Sequence, residues 1–198
     1  MAIRTDREYR NVELREFELK DNDYIVEGYA TTFDDPYLLL EFDGVKYYEQ
    51  ISKNAFDEAD MSDVIFLYDH EGMVFARLSN ETLKLELDER GLKVTADLSS
   101  TTQSREMYEA IKTGLVTKMS WAFTVREDAW DDATNTRTIL KVKKVYDVSA
   151  VSIPANPDTS ISARSYVDGV ISRREAERLQ RQKEINKIKI KLKLGGLS

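Results

Sequence analysis

Leu83-Lys84-Leu85-Glu86-Leu87 alternates apolar and polar residues, Asp88-Glu89-Arg90-Gly91 interrupts the pattern, and Leu92-Lys93-Val94-Thr95-Ala96 resumes it. Successive side chains of a strand point to opposite faces, so this period of two marks strands with one buried face. A short polar break ending in Gly between two such runs marks a hairpin. The body of the chain reads the same way on either side. Residues 12–19 partly alternate, residues 24–33 are rich in aromatic and β-branched side chains, and residues 45–51 and 64–68 are short strand candidates. Trp121, Phe123 and Val125 alternate, and residues 138–151 are long enough for two strands. Two helices interrupt this. One covers residues 52–59, capped by Ser52 or Asn54. The other covers residues 101–113, where Ser100 and Gln103 have capping-box spacing, Met107 and Ile111 share a face, and Gly114 falls where a terminating glycine belongs. Many strands and few helices predict a mainly β (α+β) fold, a closed or nearly closed β-barrel surrounded by helices.

The 198 residues are enough for one domain with an appendage and a sizeable core. Cysteine is absent, which excludes disulfides and thiolate metal sites. With a single histidine, a zinc site is not expected, and no metal or cofactor motif is present. The pairs Asp34-Asp35 and Asp131-Asp132 and the residues 86–89 read as solvated acidic turns. No secretion signal or membrane span is expected, because no apolar run nears the ~20 residues that a span requires. A net charge of −7 argues against general nucleic-acid binding. The charge is uneven: from Ile171 onward nine Lys/Arg stand against three Glu, a net +6, which leaves −13 for the residues before it. Residues 160–168 read as a polar linker after Pro154-Ala155-Asn156-Pro157, residues 172–187 favour helix, and Lys189-Ile190-Lys191-Leu192-Lys193-Leu194 has the alternation of a strand. Such a basic tail suits docking on a partner or an anionic surface, and equally suits a solvated end.

Three residues stand out for chemistry. His70 is the only histidine, and imidazole is the side chain whose ordinary pKa, about 6.5, lies nearest neutrality. Any serine-nucleophile reaction here runs through His70 or through a less usual base. Ser120, in Met119-Ser120-Trp121-Ala122-Phe123, shares a strand face with the small residues Ala122 and Thr124, which leaves room for a close approach. Asp147 sits in the apolar run Val145-Tyr146-Asp147-Val148, where a buried carboxylate needs a partner such as an imidazole N–H. Each also has a plain structural reading: a turn histidine, a small strand residue, an edge-strand acid. Taken together they are consistent with a hydrolase triad and go no further.

In combination these segments resemble the tailed-phage (caudovirus) prohead serine proteases, relatives of the herpesvirus assemblin proteases. The resemblance rests on Leu67-Tyr68-Asp69-His70-Glu71, on Arg90-Gly91-Leu92-Lys93-Val94, and on Ile111-Lys112-Thr113-Gly114-Leu115 leading into Lys118-Met119-Ser120-Trp121-Ala122-Phe123. It closes with Asp147-Val148-Ser149-Ala150-Val151-Ser152-Ile153-Pro154-Ala155-Asn156-Pro157, and extends from about Glu27 to Ala163. It implies a herpesvirus-protease-like barrel over residues 1–163, with residues 164–198 as a basic helical or extended tail. His70 would be the base, Ser120 the nucleophile and Asp147 the orienting acid, without a cofactor. The implied substrate is a scaffold protein or the scaffolding segment of the major capsid protein, cleaved inside the immature procapsid in the host cytoplasm. A homodimer is expected by analogy, with no nucleic-acid or membrane partner. A catalytically silent scaffolding relative of the same fold is the alternative. Two positions depart from the family pattern: Ala122 stands where Gly is common, and Asp147 where Glu is frequent.

Overall fold

The computed structural model describes residues 7–13, 18–20, 24–152 and 157–195. Among the described residues, eleven strands are arranged in two sheets. The four-stranded antiparallel sheet has the order β2 (Glu18–Lys20), β3 (Ile25–Thr32), β9 (Gly91–Asp97), β8 (Leu83–Leu87). The seven-stranded sheet runs β1 (Glu8–Glu13), β10 (Lys118–Asp131), β11 (Thr136–Val151), β5 (Val45–Ile51), β4 (Tyr37–Phe42). Farther along β11, β6 (Ile65–Tyr68) replaces β5 as its parallel neighbour, and β7 (Glu71–Arg77) pairs with β6. One core joins the sheets: Val26, Leu92, Val94 and Ala96 from the smaller face Ile51, Phe66, Trp121, Phe123 and Val148 from the larger. Helix α1 (Thr102–Lys112) adds Met107, Tyr108 and Ile111. Trp121 stacks on Phe123 with ring centroids 3.8 Å apart and meets Phe56 at 5.6 Å.

The predicted hairpin forms as β8–β9, with Leu87 opposite Leu92 and Leu83 opposite Ala96. Asp88 Oδ1 accepts from the Arg90 and Gly91 amides at 2.8 and 3.0 Å and shapes the turn. Gly91 is required by space: a Cβ there would lie 2.0 Å from the Thr31 carbonyl oxygen. Gly91→Ala is therefore expected to cost at least about 1–3 kcal/mol, the usual penalty for overpacking, measured by denaturant unfolding.

Several expectations are corrected. Among the described residues the ladders form two open sheets rather than a closed barrel, each with free edges. Residues 138–151 belong to one long strand, because the run contains no Gly or Pro and bulges, most of them in β11 itself, bend the strand without ending it. Residues 52–59 form successive turns instead of a helix. Their backbone serves β11: Ala55 and Asp60 carbonyls accept from Val142 and Val145, and Ser52 and Asp60 amides donate to Ile139 and Lys143. These bonds occupy the part of β11 between β5 and β6. Strands β4 and β7 carry no clean alternation, since most of their residues are partly or fully exposed. Helix α1 is capped one residue later than expected, Thr101 Oγ1 accepting from the Ser104 amide at 3.0 Å.

Residues 161–198 form a second unit, built from α2 (Pro157–Gly195). The helix runs through both the expected linker and the alternating 189–194 segment. With no strand to pair with, an extended chain leaves its backbone groups open, whereas a helix satisfies them internally. The Pro154-Ala155-Asn156 part of the expected turn lies outside the described residues.

Candidate active site

His70 sits at the tip of the β6–β7 hairpin. Tyr68 pairs with Glu71, so Asp69 and His70 are the two turn residues, with φ of 47° and 61°. Two-residue hairpin turns of this type need positive φ at both positions, and Asp and His tolerate it better than most non-glycine residues. The tip is fixed to the end of β11. The Asp69 amide donates to the Ala150 carbonyl at 2.9 Å, and the Asp69 carboxylate accepts from the Ser152 amide and hydroxyl at 3.0 and 2.9 Å. This anchoring turns the imidazole onto β11, where Nδ1 lies 2.6 Å from Asp147 Oδ1. A carboxylate oxygen at that distance accepts, so Nδ1 carries the proton and donates it, which leaves Nε2 as the outward nitrogen.

Strand register puts Ser120 on the same face as Asp147. Ser120 lies opposite Ser149, and Ala122 opposite Asp147, across the antiparallel β10–β11 pair. Directly opposed side chains share a face, as do residues two apart on one strand. Ser120, Ala122, Asp147 and Ser149 therefore share one face, and the bond to Asp147 sets His70 on it. Ser149 Oγ donates to Asp147 Oδ1 at 2.8 Å, so one carboxylate oxygen takes both bonds. Ala122 has no positive φ, so its Cβ is accommodated by ordinary strand geometry. The shorter Asp147 reaches His70 in full.

The site is closed. Ser120 is 1 % exposed and the His70 side chain 6 %. Ser120 Oγ and His70 Nε2 are both buried and, among the described residues, have no hydrogen-bond partner. Tyr9 packs edge-on against the imidazole, ring centroids 4.6 Å apart and planes at 68°.

On the opposite face of β1 and β10 lies a buried ionic cluster. The Arg10 guanidinium bonds both oxygens of Glu49, which also accepts from the Tyr37 hydroxyl and from Arg137. Arg137 in turn grips Glu8 at 2.7 and 3.0 Å and Asp128 at 2.6 Å. Burial pushes the Glu8 carboxyl up, but the Arg10 and Arg137 charges outweigh it and hold Glu8 below the usual carboxylate range. Burial works against the charge on Arg10, and Glu49 more than compensates, raising that guanidinium well above its ordinary value. Burial and the neighbouring Glu49 charge push the Tyr37 phenol well up.

Sequence reasoning named His70, Ser120 and Asp147 and missed Ser149, Tyr9 and the ionic cluster. Ser149 was legible in principle, two residues from Asp147 on one strand. Tyr9 and Arg10 were not, because nothing local ties residues 8–13 to β10. Among the described residues no group of three His, Asp or Glu is placed to hold a metal ion.

The prohead protease of Escherichia phage T5 is 27 % identical over 106 residues, which is 54 % of this chain and 47 % of that protein. The chain thus spans about half the length of the curated relative it matches. No solved structure matches. The family model of the caudovirus prohead serine proteases matches residues 10–173, most of the chain and every residue of the site but Tyr9, and the protein belongs to that family.

Proposed function

We propose that the protein is a serine endopeptidase of procapsid maturation, with Ser120 as nucleophile, His70 as general base and Asp147 as the acid that orients it. The observation that carries this reading is the His70–Asp147 bond on the face that also holds Ser120. In the reaction His70 Nε2 takes the Ser120 proton as Oγ bonds to the scissile carbonyl carbon. The same proton then passes to the leaving amine as the C–N bond breaks. Water, deprotonated by His70, attacks the acyl-enzyme and restores Ser120. Asp147 keeps Nδ1 protonated and steadies the imidazolium that forms.

The substrate in this reading is a scaffold protein or the scaffolding segment of the major capsid protein, cut inside the procapsid in the host cytoplasm. Residues 1–163 are the protease domain on the herpesvirus-protease plan, the basic residues 164–198 an appendage, and the working form a homodimer. Co-expression with the capsid and scaffold proteins of the same phage tests the function. Processing by wild type and none by Ser120→Ala supports it, and equal processing by both rejects it in favour of a silent relative.

Ser149 holds the orienting carboxylate in place. Ser149→Ala is expected to lower kcat roughly tenfold with KM little changed, matching the 1–2 kcal/mol of one lost buried hydrogen bond. Steady-state kinetics on a processed substrate measures this.

A further inference from the structure

We infer that strand β1 is an autoinhibitory strap across the catalytic pair, with Tyr9 as the residue that seals it. The inference rests on the reading of His70 and Ser120 as that pair. A protease must bring a scissile carbonyl to its serine hydroxyl and a leaving amine to its imidazole. Here Ser120 Oγ and His70 Nε2 are both buried and, among the described residues, neither has a hydrogen-bond partner. Buried polar atoms without partners each cost free energy, so the closed arrangement is held by something else.

Strand β1 supplies the hold. Among the described residues it pairs with β10 alone and so forms an edge of the sheet. Its register sets Tyr9 opposite Ala122, which puts the Tyr9 side chain on the catalytic face. Tyr9 meets the His70 ring there and is itself only half-buried, so it lies between the imidazole and solvent. Arg10 and Glu8 point the other way and fasten the strand, Arg10 to Glu49 and Glu8 to Arg137. One short strand thus has a cover on one face and an anchor on the other.

Opening requires the edge strand to leave and its Arg10–Glu49 and Glu8–Arg137 pairs to part, while among the described residues no other strand depends on β1 for pairing. A substrate or partner that favours the open state shifts the population by its differential affinity, and without one only the minor open population reacts. The strap is distinct from the triad, because removing Tyr9 takes no group away from the reaction.

The lone histidine makes the test direct. Diethyl pyrocarbonate is applied to the full chain and carbethoxylation of the His70 peptide is followed by mass spectrometry. Tyr9→Ala and Tyr9→Leu are expected to speed it at least tenfold, while Tyr9→Phe, which keeps the ring, stays at the wild-type rate. Thermal melts confirm that each variant is folded, and having two ring-deleting variants covers a folding failure in one. Rates within twofold of wild type in the folded ring-deleted proteins would overturn the strap. A fluorophosphonate probe separates the two levels of the argument. Faster carbethoxylation with parallel faster labelling of Ser120 supports both strap and triad. Faster carbethoxylation with no serine labelled in any variant leaves the cover over His70 intact but overturns the strap as a regulator of catalysis, together with the serine mechanism.

Discussion

Replacing His70 by asparagine is expected to lower proteolysis by roughly 10⁴- to 10⁶-fold, the loss seen when the base of a serine triad is removed. Asparagine is the informative substitution because His70 occupies a turn position with φ of 61°. Asn accepts that conformation, whereas alanine would add backbone strain and blur a catalytic defect with a folding defect. The variant keeps the hairpin and its Asp69–Ser152 anchor, so its melting temperature should stay within a few degrees of wild type. What it loses is the only imidazole in the chain. Timed cleavage of the co-purified substrate, read on gels, measures the effect. Activity within tenfold of wild type would mean that another group acts as the base.

The second large effect concerns stability. Arg10→Ala leaves Glu49 with one guanidinium instead of two, in a site where Glu49 has no solvent exposure. Breaking a buried ion pair by deleting one partner typically costs about 3–5 kcal/mol, because a charge is left uncompensated out of water. For a chain of this size that corresponds to a fall in melting temperature of roughly 10 °C. The same cluster gives stability a pH dependence. Glu8 titrates below its ordinary value of 4.5 in the folded protein. Its contribution is therefore complete above that pH and is lost as pH falls through the lower, folded value. Arg10→Ala removes a main cause of the depression, so the acid side of the stability curve should flatten below pH 4.5. Denaturant unfolding between pH 3 and 7 reads both effects. An unchanged curve would show that the cluster is not what holds Glu8.

What the sequence made legible follows from the range of the forces involved. The β8–β9 hairpin and α1 are local: alternation, an Asp-to-amide turn and a capping hydroxyl specify them within a dozen residues. The stretch at 52–59 looked helical by the same local rules, but β11 needed its backbone carbonyls and amides, and the longer-range demand won. Strand β4 was missed because its exposed side chains blur the alternation, yet Asp43-Gly44, with φ of 51° and 73°, is a two-residue hairpin turn that the sequence spells out. The helix over 189–194 shows the opposite case, where a period-two pattern had no partner strand to make it extended. At the site, His70 could be named as the only histidine and Asp147 as a carboxylate in an apolar strand, while Ser120 stood out through the Met119–Phe123 motif. Their placement on one face could not be read, since it depends on the register of β10 against β11 and on a turn anchored to the end of β11. Tyr9 and Arg10 depend on a pairing between residues more than a hundred positions apart, which no local pattern records.

The central claim is that Ser120 is a nucleophile activated by His70. Reaction of the purified chain with a fluorophosphonate, followed by peptide mapping, tests it most directly. The account predicts a single adduct on the peptide carrying Ser120, absent in Ser120→Ala and strongly slowed in His70→Asn. An active preparation that carries no adduct, or carries it on another serine, would contradict it.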